Sequence, residues 1–199
     1  MDYENLYQQM VKTAPETSWF VEVGSWKGRS AAFMCVEIAN SGKTIRFDCV
    51  DTWQGSSEHQ AGGGCEDVDC ITGQLMQRFL ENMEPAQGQF TPLQMNSLQA
   101  AKLYKDASLD FVFIDAAHEY ESVRADILAW LPKIKSGGYL AGHDYFSADV
   151  IKAVKETIPQ AQPYHPSCWI YHVPVWCYSN GLVDHLDNQP ICSVHSRFV

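Results

Sequence analysis

Val21-Glu22-Val23-Gly24-Ser25-Trp26-Lys27-Gly28-Arg29-Ser30 is the stretch from which the rest of the chain can be read. A short apolar run enters two glycines spaced four apart, and a helix-like pattern follows. A buried strand that ends, turns tightly and feeds a helix has this form, and glycine supplies the positive φ that such turns need. Glu22 stands two residues before the first glycine. The spacing is Gly-x-x-x-Gly. It is neither the Gly-x-Gly-x-x-Gly of a dinucleotide fold nor a Walker loop, because no Gly-Lys-Ser/Thr follows. Taken alone, so short a motif suits a helix-packing turn as well as a ligand.

Outward from this turn the pattern alternates. Residues 2–17 read as an amphipathic helix with Leu6, Met10 and Val11 on one face, closed by Pro15. Residues 19–23 are a short buried strand. Ala31, Met34, Cys35 and Ile38 recur at i, i+3, i+4, i+7, so residues 30–40 are helical, and Gly42 stops them. Residues 44–51 form a second strand. Residues 52–69 are irregular, and a loop of that length is functional or disordered. Its glycines and polar residues make 54–70 an active-site lid. Residues 71–83 read as one helix with Leu75, Phe79 and Leu80 on a single face. A strand over 90–95 and a short helix over 97–104 follow.

Residues 109–115 are the clearest strand, apolar on both faces as a central parallel strand should be. Residues 120–131 are helical, with Val123, Ile127 and Leu131 in line. Residues 139–143 make a fifth strand, and 148–158 another amphipathic helix. Residues 169–173 and 175–178 look like a closing pair of strands, and 180–199 an irregular tail. Strands alternating with helices imply a mostly parallel sheet with right-handed crossovers and helices on both faces. Such sheets bind ligands where the carboxyl ends of the strands meet a switch in strand order. The candidates are therefore residues 22–28, 51–53, 96–97, 115–118 and 143–144.

Bulk properties narrow the function. A chain of 199 residues with 46% apolar content suits one domain spanning 1–199. A net charge of −10 with scattered cations argues against nucleic acid as a partner. No apolar run approaches the ~20 residues that cross a bilayer, so no membrane partner is expected. Met1-Asp2-Tyr3-Glu4-Asn5 lacks the features of a secretory signal, and a cytoplasmic protein is expected. The seven cysteines have irregular spacing, which favours a thiol-containing intracellular protein over a disulfide scaffold or zinc finger. Cys35 and Cys49 fall in buried elements.

Asp51 raises the weight of the glycine turn. A carboxylate ending the second strand can accept both hydroxyls of a ribose, and Trp53, two residues on, could cover an adenine face.

Glu22-Val23-Gly24 with Gly28, Asp51, and Phe113-Ile114-Asp115-Ala116-Ala117-His118 resemble class I S-adenosylmethionine-dependent methyltransferases. The run Lys135-Ser136-Gly137-Gly138-Tyr139-Leu140-Ala141-Gly142-His143-Asp144-Tyr145 is similar to the methyltransferase-24 branch. That branch contains macrocin-type sugar O-methyltransferases and proteins labelled cephalosporin hydroxylase. The resemblance covers roughly residues 18–160. It implies the Rossmann-like class I methyltransferase fold, an α/β structure with a mostly parallel seven-stranded sheet. It implies that Glu22, Gly24, Ser25, Trp26 and Gly28 line the methionine end of S-adenosylmethionine. Asp51 would hold the ribose, with Thr52 and Trp53 beside the adenine. Asn96 and Ser97 would meet the adenine edge, and Asp115 would lie near the sulfonium and the substrate.

The branch often holds Mg²⁺ with one acid after the fourth strand and two after the fifth. Here those places read Asp115, then His143-Asp144. Asp115 and Asp144 are the expected ligands for Mg²⁺ or another divalent cation, and His143 stands where an acid is usual. The branch also often has Asp-x-Asp-His after the fourth strand. Ala117 replaces the second Asp, so His118 is the natural base, with His143 the second choice.

The expected activity is O-methylation of a small hydroxylated acceptor, a sugar or natural-product intermediate. Three alternatives remain: an NAD enzyme; an iron hydroxylase using His118, His143 and Asp144; and a cofactor-binding protein without catalysis. The N-terminal helix and the aromatic C-terminal region could cover a second subunit of a homo-oligomer or cap the domain.

Overall fold

Strand β1 (Thr17–Val23) runs through the middle of a seven-stranded sheet whose order is β3-β2-β1-β4-β5-β7-β6. The computed structural model describes residues 3–56, 59–164 and 167–175. In chain order these hold α1 (Glu4–Thr13), β1, α2 (Arg29–Ser41), β2 (Thr44–Asp51), α3 (Val68–Ile71), α4 (Leu75–Asn82) and β3 (Thr91–Gln94). Then come α5 (Ser97–Ala101), β4 (Leu109–Ile114), α6 (Tyr120–Trp130), β5 (Ile134–Gly142), α7 (Ala148–Thr157), β6 (Gln162–Tyr164) and β7 (Cys168–His172). Strands β1 to β5 are parallel, whereas β7 runs antiparallel to both β5 and β6. After β1 the chain builds outward through β2 and β3, then returns to lay β4 on the other side of β1. The order therefore reverses between β1 and β4, and that is where a ligand crevice belongs.

The period-2 alternation of the central strands assigns the two faces. Phe20, Phe47, Cys49, Phe111 and Phe113 join a core with Leu6, Met10, Met34 and Phe79, beneath α1, α2 and α4. Val21, Val23, Val50, Val112 and Ile114 join the other core, with Ile127, Trp130, Leu140 and Val154, beneath α5, α6 and α7. Helix α2 buries Ala31, Met34, Cys35 and Ile38, the stripe its spacing predicts, and ends on Gly42 in the left-handed conformation. Both faces of β1 and β4 are covered, which is why these strands read as continuous apolar runs.

Four elements differ from the expectation. Residues 71–83 are not one helix: Gly73 (φ +70°) separates α3 from α4. Asp67 starts α3 early by accepting from the backbone N–H of Asp69 and Cys70. Leu80 lies on the solvent side of α4, while Leu75 and Phe79 are buried. Strand β5 begins at Ile134 rather than 139. The closing pair is β6 with β7. The expected strand over 175–178 is absent at Val175, and its remainder and the tail lie outside the described residues. Pro163 disguised β6, since proline cannot donate to a ladder and is tolerated at the sheet edge that β6 occupies.

Gly24 is the tightest point of the sheet. At φ +94°, a Cβ there would sit 1.9 Å from the carbonyl oxygen of Asp115. At Gly42, also left-handed, a Cβ would meet nothing within 4 Å. Gly42→Ala is therefore expected to cost only the backbone strain, about 1 kcal/mol. Gly24→Ala should cost several-fold more, lowering the melting temperature by roughly 10 °C or abolishing soluble expression. Thermal melts of the two variants side by side check this; equal shifts would contradict it.

Candidate active site

Three strand ends build the cofactor side of the crevice. The Gly24 N–H donates to the Val50 carbonyl (2.8 Å), and the Asp115 N–H donates to the Val23 carbonyl (2.7 Å), so β1 is tied on both sides where it stops. The close approach of Gly24 is to the backbone of Asp115 and Ala116. Gly28 caps α2 at φ +85°, and a Cβ there would press on Met83 and Phe79. Both glycines are thus required by packing, independently of a ligand.

Asp51 organises the turn. Its Oδ2 accepts from the Trp26 N–H (2.8 Å) and its Oδ1 from the Trp53 N–H (2.7 Å). Burial pushes its carboxyl up, and these backbone donors counter the effect. The backbone N–H groups of Thr52 and Ser25 also help to hold the charged carboxylate. Trp26 and Trp53 both adopt positive φ, +46° and +49°. The Trp53 indole N–H donates to the Trp26 carbonyl (2.8 Å), and its ring packs on Phe79. At 3% exposure the ring packs in the core. Half-buried Thr52 holds the turn, its hydroxyl accepting from the Gln54 N–H at 3.2 Å.

Glu22 lies beneath the turn on the α1 face. It is 1% exposed, and its Oε2 accepts a hydrogen bond from the Tyr7 hydroxyl (2.6 Å). Burial pushes its carboxyl up to about 7, against the lowering effect of the Tyr7 bond. Glu22 Oε1 and Ser25 Oγ are buried with no hydrogen bond of good geometry, although the hydroxyls of Ser25 and Ser30 lie near enough to Glu22 to lower its carboxyl. Such under-satisfied groups beside the turn suit an added polar partner.

The adenine-edge candidates divide. Asn96 is exposed and caps α5 by accepting from the Leu98 N–H. The Ser97 hydroxyl is turned inward: it donates to Asp126 (2.6 Å) and accepts from the Trp130 indole (2.9 Å). Burial pushes Asp126 up to about 6. The Ser97 hydroxyl is thus engaged with Asp126 and Trp130.

The second half of the site spans the ends of β4 and β5. His118 Nε2 lies 2.7 Å from Asp144 Oδ2, and His143 Nδ1 lies 3.1 Å from Asp144 Oδ1 and 3.7 Å from Asp115 Oδ1. His143 Nε2 is 3.2 Å from the Ser167 hydroxyl. Asp144 takes positive φ, +55°, to bridge the two rings. Partial burial alone would raise its carboxyl, but hydrogen bonds from His118 and His143 outweigh it and hold it well below the usual carboxylate range. His118 is the open member, with its side chain 45% exposed against 18% for His143. Ligand atoms of Asp115, His118 and Asp144 all lie within 4.8 Å of one another. His143 is not part of that group, so the two-histidine, one-carboxylate iron set is not formed among the described residues.

The expected lid is fastened to the glycine turn. Lys27 Nζ pairs with Asp67 (2.6 Å) and Asp69 (2.8 Å), and the His59 ring lies 4.4 Å from that of Trp26. Sequence reading missed Tyr7, Ser167, Lys27 and Asp126. Asp126 was the accessible one: it interrupts the buried stripe of Val123, Ile127 and Trp130 with a carboxylate. Two clefts, about 500 and 300 Å³, open at the amino ends of the strands, beside Arg46 and Thr91 and beside Asp110 and Tyr139 respectively. They lie opposite the site.

A doubly wound sheet with a carboxylate-anchored glycine turn at its switch point, and an acid–histidine cluster alongside, defines a nucleoside-cofactor enzyme of the α/β class. Residues 21–145 match the family described as a methyltransferase domain, and the chain belongs to that family. Among solved structures, the O-methyltransferase NovP is similar with a TM-score of 0.60 at 14% identity, covering 86% of this chain and 79% of that one. CalS11, a TDP-rhamnose 3'-O-methyltransferase of calicheamicin biosynthesis, is similar with a TM-score of 0.58 at 12% identity, covering 85% and 77%. An rRNA methylase from Streptococcus thermophilus is similar with a TM-score of 0.57 at 12% identity, covering 85% and 95%. These likenesses establish the fold. Among curated proteins, uncharacterized protein y4gI of Sinorhizobium fredii is 29% identical over 124 residues, 62% of this chain and 13% of that protein. Uncharacterized protein R132 of Acanthamoeba polyphaga mimivirus is 29% identical over 87 residues, 42% and 39%. The chain spans well under two thirds of either relative's length. No described helix is long and apolar enough to cross a membrane.

Glu22 gives a pH signature. Its folded-state value of about 7 lies above the ordinary 4.5, so the folded protein holds this proton more tightly than the unfolded chain does. The associated stability is present below pH ~4.5 and lost as pH rises to about 7. Glu22→Gln keeps an acceptor for Tyr7 and removes the titration. The stability gap between wild type and Glu22→Gln should shift by about 3 kcal/mol between pH 4 and pH 8, in favour of the variant at the higher pH. Urea unfolding at the two pH values checks this; a gap independent of pH would contradict it.

Proposed function

We propose that the protein transfers a methyl group from S-adenosylmethionine to the oxygen of a small hydroxylated acceptor, a sugar or natural-product intermediate. One observation carries this reading. Asp115, His118, His143 and Asp144 converge at the ends of β4 and β5, and the backbone of Asp115 touches the glycine turn. A group that can take a hydroxyl proton thus stands next to the place for the methyl donor. The names of NovP and CalS11 support oxygen as the acceptor atom. The net charge of −10 supports a small molecule over RNA, although rRNA methylases share the fold.

The residues fit the cofactor. The Asp51 carboxylate would accept from the ribose hydroxyls, while the under-satisfied Glu22 Oε1 and Ser25 Oγ would meet the polar methionine end. The cofactor supplies an electrophilic methyl on a cationic sulfur, and the protein's main contribution is alignment. Asp144 holds the His118 ring by its Nε2, and in this metal-free arrangement the imidazole is the group that would take the acceptor's proton. His143 braces Asp144 from the other side and is itself held at Ser167. A divalent cation on Asp115 and Asp144, when bound, lowers the pKa of a coordinated hydroxyl. The lid fastened by Lys27 would keep water from the reacting centre.

Calorimetry with S-adenosylmethionine should give a binding heat that Asp51→Ala weakens by roughly tenfold or more, the loss expected for hydrogen bonds to a charged acceptor. His118→Ala should leave that affinity in place and lower kcat about 100-fold or more against an accepted hydroxyl substrate. Absence of binding at millimolar cofactor would overturn the reading.

A further inference from the structure

We propose that Asp115, His118 and Asp144 form a site for a first-row transition dication of the Mn²⁺, Co²⁺ or Zn²⁺ type, with an imidazole nitrogen of His118 as a ligand, and that the site discriminates against Mg²⁺. This rests on reading the cluster at the ends of β4 and β5 as the reaction site.

The argument starts from placement. Asp115 follows β4 directly and Asp144 follows β5 by one residue. The two strands pair up to Ile114 and Gly142, so the sheet sets the separation of the carboxylates. His118 arrives from the turn that leads into α6. The three ligand atoms lie within 4.8 Å of one another, and the His118–Asp144 pair is at 2.7 Å. Bonds of about 2.1 Å place neighbouring ligands about 3 Å apart and opposite ones about 4.2 Å apart. The three ligand atoms thus already span about the width of a coordination sphere, with the His118–Asp144 separation slightly short of it.

The surroundings suit such a centre. His143 reaches one oxygen of Asp144 and one of Asp115, and is held at its far nitrogen by Ser167. It orients the carboxylates from behind, as outer hydrogen bonds do around metal ligands. The Asp144 and Asp115 side chains are 16% and 27% exposed, and His118 is 45% exposed. One side is enclosed by protein and one is open for water or a hydroxyl. Two carboxylates balance the charge of a dication.

The donor set decides the ion. Mg²⁺ favours an all-oxygen octahedron, whereas an imidazole nitrogen strengthens binding from Mn²⁺ towards Zn²⁺. The arrangement with His118 hydrogen-bonded to Asp144 is then the metal-free state of the same site.

The test uses the full-length chain stripped with a chelator. Mn²⁺, Co²⁺, Zn²⁺ and Mg²⁺ are titrated separately by calorimetry, and the absorption spectrum of the Co²⁺ form is recorded. The expected result is Co²⁺ or Zn²⁺ binding at least about 100-fold tighter than Mg²⁺, with a Co²⁺ spectrum that changes on His118→Ala. That variant should lose about tenfold or more in Co²⁺ affinity while retaining its melting temperature and its affinity for S-adenosylhomocysteine. His118→Asp should narrow the preference over Mg²⁺ about tenfold. Co²⁺ and Mg²⁺ affinities within a few-fold of each other, no binding below millimolar, or an unchanged Co²⁺ affinity in well-folded His118→Ala would each overturn the proposal. Loss of S-adenosylhomocysteine binding in the wild type, with metal binding intact, would instead count against the methyltransferase reading alone.

Discussion

The site depends on the contact between Gly24 and the carbonyl of Asp115. Because residue 24 carries no side chain, the end of β1 can lie against the end of β4 with no space between them. Two backbone hydrogen bonds, at Gly24 to Val50 and at Asp115 to Val23, lock the three strand ends into one unit. The turn that would carry a cofactor and the loop that begins the acid–histidine cluster thus share a wall of backbone. Transfer of a group between two bound molecules requires that their positions be fixed relative to each other. Here that relation is set by main chain, which is stiffer than any side-chain bridge.

Backbone strain collects around the same wall. Of the four described non-glycine residues with positive φ, three, Trp26, Trp53 and Asp144, lie here, and the fourth, Ala107, precedes β4. Each of the three is compensated by named bonds. Asp51 accepts from both tryptophan N–H groups, the Trp53 indole donates to the Trp26 carbonyl, and Asp144 is gripped by two histidines. Strained residues persist where the surroundings over-determine them, and they cluster at functional sites. That three of them follow the carboxyl ends of β1, β2 and β5 agrees with a site on that side of the sheet, away from the clefts at the amino ends.

Sequence resolved what is local and periodic. The stripe of α2, the two-sided burial of β1 and β4, and the glycines of the turn are properties of neighbouring residues, and they could be read directly. The strand-end logic brought Asp51, Asp115, His118, His143 and Asp144 forward as candidates before any coordinates. Long-range choices of partner could not be read. Whether Trp53 faces a ligand or the core depends on Phe79, and whether Ser97 faces out depends on Asp126 and Trp130. The pairing of Tyr7 with Glu22, fifteen residues apart, is a choice of the same kind: its hydroxyl donates to one oxygen of the buried carboxylate. The break between α3 and α4 comes at Gly73, whose positive φ ends one helix before the apolar spacing of the next begins.

The two halves of the site differ in how they are held. The turn is clamped from below by the Tyr7–Glu22 bond, from the side by Lys27 on Asp67 and Asp69, and from above by His59 on Trp26. A nucleoside entering it meets donors and acceptors already in place, so little ordering remains to oppose binding. The cluster across β4 and β5 is looser at one point only. Asp144 and His143 are largely enclosed, whereas His118 stands at the open edge. Rigid cofactor contacts suit a donor that is the same at every turnover. The more exposed imidazole beside two less exposed carboxylates is the member that an incoming acceptor would meet first. The division follows from position: the clamped turn joins β1 to α2, whereas His118 sits in the turn after β4, where the chain leaves the sheet.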